Sequence, residues 1–336
     1  MLNRKLLLKG IVAVLAATIF LPGCAPKAVP TVAANRPRIG IAWRADTDSE
    51  FLVNVQRVIC AAGGEPVLLP QVRSLDLPYA GDALDASVIA ADDYLAQPAA
   101  ELVKNGGCRR SNAADALGDL KAVVFTGGED CSPTLYARPV PWHRIAEEKD
   151  YNATRDVSDY LLIDYCLSRP EVALLGICRG CQMLGVVSGA SIVQDIPAYC
   201  QARGLDYDHR HRNVKASPEA YRDYASHSLS VAPDSILSAI VGAEVLDGCP
   251  SWHHQMLDSV DGTPLRITGA TEANGLRVIE TIERVDHPFA VGIQFHPEAA
   301  VCKRFDGAAN ADDFMSLESG LAFFKALIHA GCDLFL

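Results

Sequence analysis

The residue of this sequence whose surroundings most favour chemistry is Cys178, a cysteine between two glycines. An apolar run at 172–177 leads into Gly-Ile-Cys-Arg-Gly at 176–180, which predicts a buried strand, a sharp turn and a helix. The glycines let neighbouring backbone approach, and the free N–H groups that begin the helix favour a thiolate over a thiol. Because a lone cysteine after an apolar strand is more often a core residue, catalysis needs a second motif.

A histidine and a glutamate that suit such a thiolate lie far downstream, at the end of another apolar run at 289–295. His296 and Glu298 are separated by one proline, so both side chains can point to one side of an extended chain. The carboxylate can then orient the imidazole while it exchanges a proton. His-Pro-Glu alone is more typical of a capped surface turn, but together with Cys178 it predicts a Cys–His–Glu catalytic triad.

These motifs resemble the class I glutamine amidotransferase-like superfamily and, within it, the gamma-glutamyl hydrolases of peptidase family C26. The resemblance runs from about residue 37 to the C-terminus, and its most specific segments are 126–136, 176–182 and 292–298. Thr-Gly-Gly-Glu-Asp at 126–130 and Ser-Trp-His-His-Gln at 251–255 are similar to gamma-glutamyl-gamma-aminobutyrate hydrolases. Arg155 and Asp156, which begin a predicted helix, also fit that group.

The resemblance implies an enzyme that cleaves gamma-glutamyl amides through a thioester and releases glutamate. The N–H groups of Gly128 and Arg179 would hold the tetrahedral oxyanion. The residues expected to contact the small gamma-glutamyl substrate are Gly127, Gln182, Ser251, Trp252 and His253. Cys181 and Trp252 depart from the family pattern, which usually has a large apolar residue and a leucine there. No metal ion or cofactor is expected.

Three alternatives concern the residues around the predicted nucleophile. Gln182 could instead bond its own helical turn, and His253 could be a buried contact in the core. Cys178 and Cys181 also match a Cys-x-x-Cys redox motif, but that interpretation leaves His296 unexplained. The chain has 11 cysteines, and no pairing can be deduced from their spacing.

The N-terminal segment resembles a bacterial lipoprotein signal peptide. Residues 1–23 combine basic residues with a short apolar run, and Cys24 would carry the lipid. We therefore expect 24–36 to be a tether and 37–336 to be the enzyme domain, anchored to a membrane on the periplasmic side. A plain signal peptide or an uncleaved anchor are the alternatives.

Composition favours one large core, since 49% of the 336 residues are hydrophobic and 21% are charged. A net charge of -11 argues against nucleic acid as a partner. Alternating strand and helix patterns predict an α/β fold, a mostly parallel central sheet flanked by helices in three layers, with a small antiparallel excursion. The polar stretch 81–119 is predicted to be a loop insertion.

Three functions compete at this stage. The first is an exported hydrolase of gamma-glutamyl amides, and the second is a glutaminase subunit that supplies ammonia to a partner synthetase. The third is a non-enzymatic lipoprotein on the same fold. The signal segment argues against the second, and the complete triad argues against the third. The sequence does not name the leaving amine and leaves open whether the protein forms a homodimer.

Overall fold

One nine-stranded sheet organises the part of the chain that this computed structural model describes, residues 36–138, 150–217 and 219–333. In chain order the strands are β1 (Arg38–Ile41), β2 (Glu65–Leu68), β3 (Tyr79–Ala80), β4 (Ala83–Leu84), β5 (Ala122–Phe125), β6 (Ala173–Ile177), β7 (Ser191–Val193), β8 (Ala225–Val231), β9 (Val245–Ser251), β10 (Met256–Ser259), β11 (Leu265–Ala273), β12 (Leu276–Arg284) and β13 (Ala290–Ile293). The sheet has the order β2-β1-β5-β6-β13-β12-β11-β8-β9, whereas β10 pairs with β7 and β3 with β4.

Nine α-helices lie in the described residues. They are α1 (Glu50–Ala62), α2 (Gln97–Gly106), α3 (Ala113–Leu117), α4 (Ala153–Leu167), α5 (Arg179–Val187), α6 (Ile196–Arg203), α7 (Ile236–Val241), α8 (Pro297–Phe305) and α9 (Leu317–Asp333). Short 3-10 helices cover Ala86–Val88, Gly107–Arg110, Pro133–Leu135 and Ala311–Asp313.

The sheet has a parallel half and an antiparallel half. Strands β2, β1, β5, β6 and β13 run parallel, and β12, β11, β8 and β9 continue the sheet in antiparallel pairs. The predicted α/β fold with its parallel central sheet is therefore confirmed. The antiparallel part also contains β9, a strand that the sequence did not predict.

Both faces of the sheet are buried, which explains the continuous apolar runs in the central strands. Val123 and Leu174 pack against α4 and α5 on one face. Val124 and Leu175, their neighbours along the same strands, pack against α1, α8 and α9 on the other. Helices on both faces enclose the sheet as the middle of three layers.

The prediction that 81–119 is a loop insertion is wrong. This stretch contains α2, α3 and two 3-10 helices. Its small apolar residues, among them Ala99, Val103 and Ala116, are buried in the same core as α4. The glycines and polar residues at 105–112 suggested a loop because such residues are typical of turns, and here they connect α2 to α3. They interrupt the helical spacing of apolar residues, which is recognisable only on either side of them.

Several predictions fall outside the described residues or stay untested. The signal peptide at 1–23, lipidation at Cys24 and most of the tether lie outside the described residues. Among the helices that the structure does describe, none has the length and apolar character needed to cross a membrane. Membrane anchoring, the periplasmic location and the homodimer stay predictions.

Candidate active site

The turn between β6 and α5 holds Cys178 in a strained backbone conformation. Its φ of 51° and ψ of -104° lie where residues other than glycine are rare. A Cβ on Gly176 would collide with the backbone of Gly180, and one on Gly180 with the carbonyl of Phe125. The two glycines thus allow the close approach that forces the turn, and Cys178 stands at the N-terminus of α5.

His296 and Glu298 lie at the start of α8, directly after β13, the strand that pairs with β6. Nδ1 of His296 is 2.7 Å from Oε1 of Glu298, and both side chains are buried. Burial alone would lower the pKa of His296, but the charges of Glu298 and Cys178 outweigh it and raise the pKa to about 10. With Nδ1 bound to the carboxylate, Nε2 is the ring atom left for Cys178.

The loop after β5 brings the predicted oxyanion residue Gly128 to the same place. A Cβ on Gly127 would lie 2.7 Å from Cε1 of His296, so the loop backbone rests against the imidazole. Gly128 has a φ of +144°, and a Cβ there would collide with the guanidinium of Arg155. Neither position accepts a side chain without displacing part of the site.

Two buried arginines donate hydrogen bonds to the backbone of this loop. Arg44 follows β1 and donates to the carbonyl of Gly127 and, at 3.0 Å, to Oγ1 of Thr126. Arg155 donates to the same carbonyl at 3.1 Å. Since the C=O and N–H of one peptide unit point in opposite directions, bonding the Gly127 carbonyl aims the N–H of Gly128 away from the arginines. This orientation suits the predicted oxyanion donor.

The side chain of Arg179, the other predicted oxyanion residue, turns into the core and leaves its N–H at the start of α5. Its guanidinium pairs with Asp156, at 2.5 Å, and with Asp159. Glu129 completes the network by pairing with Arg155. Burial would raise the pKa of Glu129, but Arg155 and Arg179 outweigh it and hold that pKa well below its usual range.

Gln182 lies one turn into α5 and is part of a chain of side-chain amides that leads to Cys178. Its Nε2 donates to Oε1 of Gln294 at 3.2 Å and, more weakly, to the carbonyl of Gln255 at 3.5 Å. Nε2 of Gln294 lies 3.5 Å from Sγ of Cys178. Gln182 therefore bonds residues of other elements rather than its own turn, and its role in substrate binding stays a prediction.

Ser251 is the last residue of β9, and Trp252 follows it close to His296. The backbone N–H of His296 donates to the carbonyl of Pro250 at 2.8 Å, which ties β9 to the site. Ser251 is buried, and its Oγ has no hydrogen-bond partner within the described residues. Trp252 packs edge-on against Tyr224, whose ring packs in turn against His296. Both residues thus lie near the predicted triad.

His253 and His254 point to different surroundings. His253 is buried, and its Nε2 is 3.7 Å from Oε1 of Glu280. Nε2 of His254 is 2.9 Å from Oδ1 of Asp130, a link between the two segments that resemble gamma-glutamyl-gamma-aminobutyrate hydrolases. A substrate contact by His253 stays a prediction.

Cys181 packs against the sheet. Its Sγ would be 2.8 Å from a Cβ on Gly292 of β13, and burial raises the pKa of the thiol well above its usual range. Cys178 and Cys181 are not joined by a disulfide.

Sequence reasoning missed Arg44 and Gln294. No sequence pattern near Arg44 indicated its role. Arg44 reaches the loop after β5 because β1, the strand before it, pairs with β5 in the sheet. Gln294 could have been found, since it is the polar residue in the apolar run before His296.

Comparison with known proteins identifies the family of this chain. A family model described as Peptidase C26 matches residues 103–298, more than half of the chain, and the chain belongs to that family. NtpR of Enterococcus hirae is 29% identical over 187 residues, which are 55% of this chain and 70% of that protein. Gamma-glutamyl-gamma-aminobutyrate hydrolase PuuD of Escherichia coli K12 is 27% identical over 158 residues, 45% of this chain and 56% of that protein.

The similarity to solved structures is lower in sequence identity than the similarity to NtpR and PuuD. A glutamine amidotransferase of Thermotoga maritima is 14% identical to this chain, with a TM-score of 0.43. The superposition covers 89% of this chain and 99% of the Thermotoga protein.

Proposed function

We propose that this protein is a cysteine hydrolase that cleaves gamma-glutamyl amides through a gamma-glutamyl thioester on Cys178. The observation that carries the proposal is the environment of the buried His296. Its Nδ1 lies 2.7 Å from Oε1 of Glu298, and the charges of Glu298 and of Cys178, at the start of α5, raise its pKa. Membership in the Peptidase C26 family and the partial likeness to PuuD support the substrate class.

The first half of the reaction forms the thioester. The Sγ thiolate of Cys178 attacks the gamma-carbonyl carbon, and the N–H groups of Arg179 and Gly128 stabilise the resulting oxyanion. The C–N bond then breaks as the imidazolium of His296 gives its proton to the leaving amine. The raised pKa of His296 means that this proton is present at neutral pH.

The second half releases glutamate. Neutral His296 takes a proton from water, the hydroxide equivalent attacks the thioester carbon, and the C–S bond breaks. Glutamate leaves, and the thiolate and imidazolium are restored together. Glu298 keeps Nε2 directed at the reacting atoms throughout, because it holds the other ring nitrogen.

Hydrolysis of a chromogenic gamma-glutamyl anilide, with glutamate measured as the product, tests the proposal. We expect Cys178→Ser to lose at least about 10³-fold in kcat/KM, whereas the matched change Cys60→Ser, at an exposed thiol, should leave the rate unchanged. His296→Ala should lose thioester formation, and Glu298→Gln should keep part of it because the amide can still position the ring.

Near-wild-type turnover by Cys178→Ser would overturn the nucleophile. A larger loss in Glu298→Gln than in His296→Ala would reverse the two assigned roles. A glutaminase subunit is the competing function, and a kcat/KM for glutamine well above that for substituted gamma-glutamyl amides would favour it.

A further inference from the structure

Four buried metal-binding side chains meet in the antiparallel half of the sheet. His227 lies on β8, Glu280 on β12, His253 just after β9, and His211 in the segment before β8. All four are almost fully buried, and one ligand atom from each lies within 4.8 Å of all the others. Sequence reasoning named only His253, and for another role.

Glu280 is the centre of this cluster, and a ring nitrogen of each of the three histidines faces its buried carboxylate. Nδ1 of His211 is 3.0 Å from Oε1 but is out of line for a hydrogen bond. Nε2 of His227 is 3.6 Å from Oε2, and Nε2 of His253 is 3.7 Å from Oε1, both too long. Within the described residues, both carboxylate oxygens and these three ring nitrogens have no hydrogen-bond partner.

The ring of His253 is oriented as a metal ligand would be. Its Nδ1 is 2.8 Å from the carbonyl of Gln255, and because a carbonyl only accepts, Nδ1 carries the proton. Nε2 then presents a lone pair toward Glu280. A ligating histidine characteristically donates its other N–H to a carbonyl or a carboxylate in this way.

We propose that His211, His227, His253 and Glu280 bind one Zn²⁺ ion in a closed structural site. Three imidazole nitrogens and one carboxylate oxygen form a four-ligand set suited to tetrahedral zinc. Bonds of about 2.0–2.2 Å place such ligands about 3.3 Å apart, so the atoms need to approach by at most about 1.5 Å. Because all four ligands come from the protein and are buried, the ion has no open position for substrate.

The ion would join β8, β12 and the end of β9, elements that also border the catalytic site. The carbonyl of Gln255 accepts from both His253 and Gln182, so the two sites share one peptide group. Zinc at this position would stabilise the 251–255 segment without taking part in the chemistry at Cys178.

The test uses the full chain, purified without a histidine tag. Zinc is measured by mass spectrometry after gel filtration, then removed with a chelator and replaced by Zn²⁺ or Co²⁺. We expect about one ion per chain, a lower Tm after removal, recovery of the Tm with Zn²⁺, and the visible absorption of tetrahedral Co²⁺.

Variants assign the ion to this cluster. His227→Ala and the near-isosteric Glu280→Gln should retain less than about one tenth of an ion per chain. His209→Ala is the matched control, an exposed histidine close to His211 and outside the cluster, and it should bind zinc normally. Cys178→Ala should also keep the ion, which separates this site from the proposed thioester chemistry.

Two results would overturn the proposal. In the first, wild-type protein exposed to Zn²⁺ holds less than about one tenth of an ion and shows no change in Tm, which would leave the cluster as a set of buried ion pairs without metal. In the second, folded His227→Ala and Glu280→Gln keep a full complement of zinc. If one variant does not fold, the other variant and the wild-type stoichiometry still decide.

Discussion

Gly127→Ala tests whether the loop after β5 and the imidazole of His296 form one rigid unit. The added Cβ would lie 2.7 Å from Cε1 of His296, whereas ordinary contact begins at 3.4 Å, so the ring or the loop must shift by about 0.7 Å. A misplacement of 1 Å in a catalytic group can cost about a hundredfold in rate. We therefore expect kcat/KM to fall about ten- to a hundredfold, or about 1.4–2.8 kcal/mol in activation free energy.

The assay is the burst of anilide product in the first turnover, which reports thioester formation directly. Gly81→Ala is the control, because it adds the same methyl group where no atom lies within 4 Å, and it does so at a positive φ of +67°, a backbone conformation that Gly127 does not have. A burst rate of Gly127→Ala within twofold of wild type, in a protein of unchanged fold, would refute the claim that this contact fixes the imidazole.

Two further predictions concern Arg44 and His296. Arg44→Met removes a donor to the Gly127 carbonyl, so kcat should fall at least about tenfold with little change in KM. The control Arg57→Met, at a more exposed ion pair, should change neither value. A rise in KM alone would contradict the positioning role of Arg44. Because the folded protein raises the pKa of His296 from 6.5 to about 10, its stabilising proton is fully present below pH 6.5 and is lost as the pH rises toward 10. In urea unfolding, the free energy of unfolding should thus fall from pH 7 to 9.5, and this fall should be smaller in His296→Gln than in the wild type. Equal falls in the two proteins would refute the contribution of the His296 proton to stability.

The sequence predicted those parts of the site that depend on neighbouring residues. Cys178 was predictable because its turn is built from adjacent glycines, and the pairing of His296 with Glu298 because two residues of chain suffice to bring them together. The parallel strands were visible as short apolar runs bounded by turns.

The missing parts depend on contacts between distant elements. Strand β9 contains Asp247, Gly248 and Pro250, which weaken its strand pattern, and only pairing with β8 establishes it. His227 and Glu280 each gave a local signal, a polar residue on the buried side of a strand, but their meeting depends on the order of strands in the sheet. No pattern within a single segment contains that order.

The position of β13 has a consequence for how the protein is made. This strand is the last of the sheet to be synthesised, yet it lies between β6 and β12 and joins the two halves. Until it emerges from the ribosome, the facing edges of β6 and β12 are unpaired, and such edges can associate with other chains. His296 and Glu298 follow β13 directly, so the step that closes the sheet would also supply the proposed nucleophile with its proposed base. A growing chain would therefore carry Cys178 without this base until its fold is almost complete.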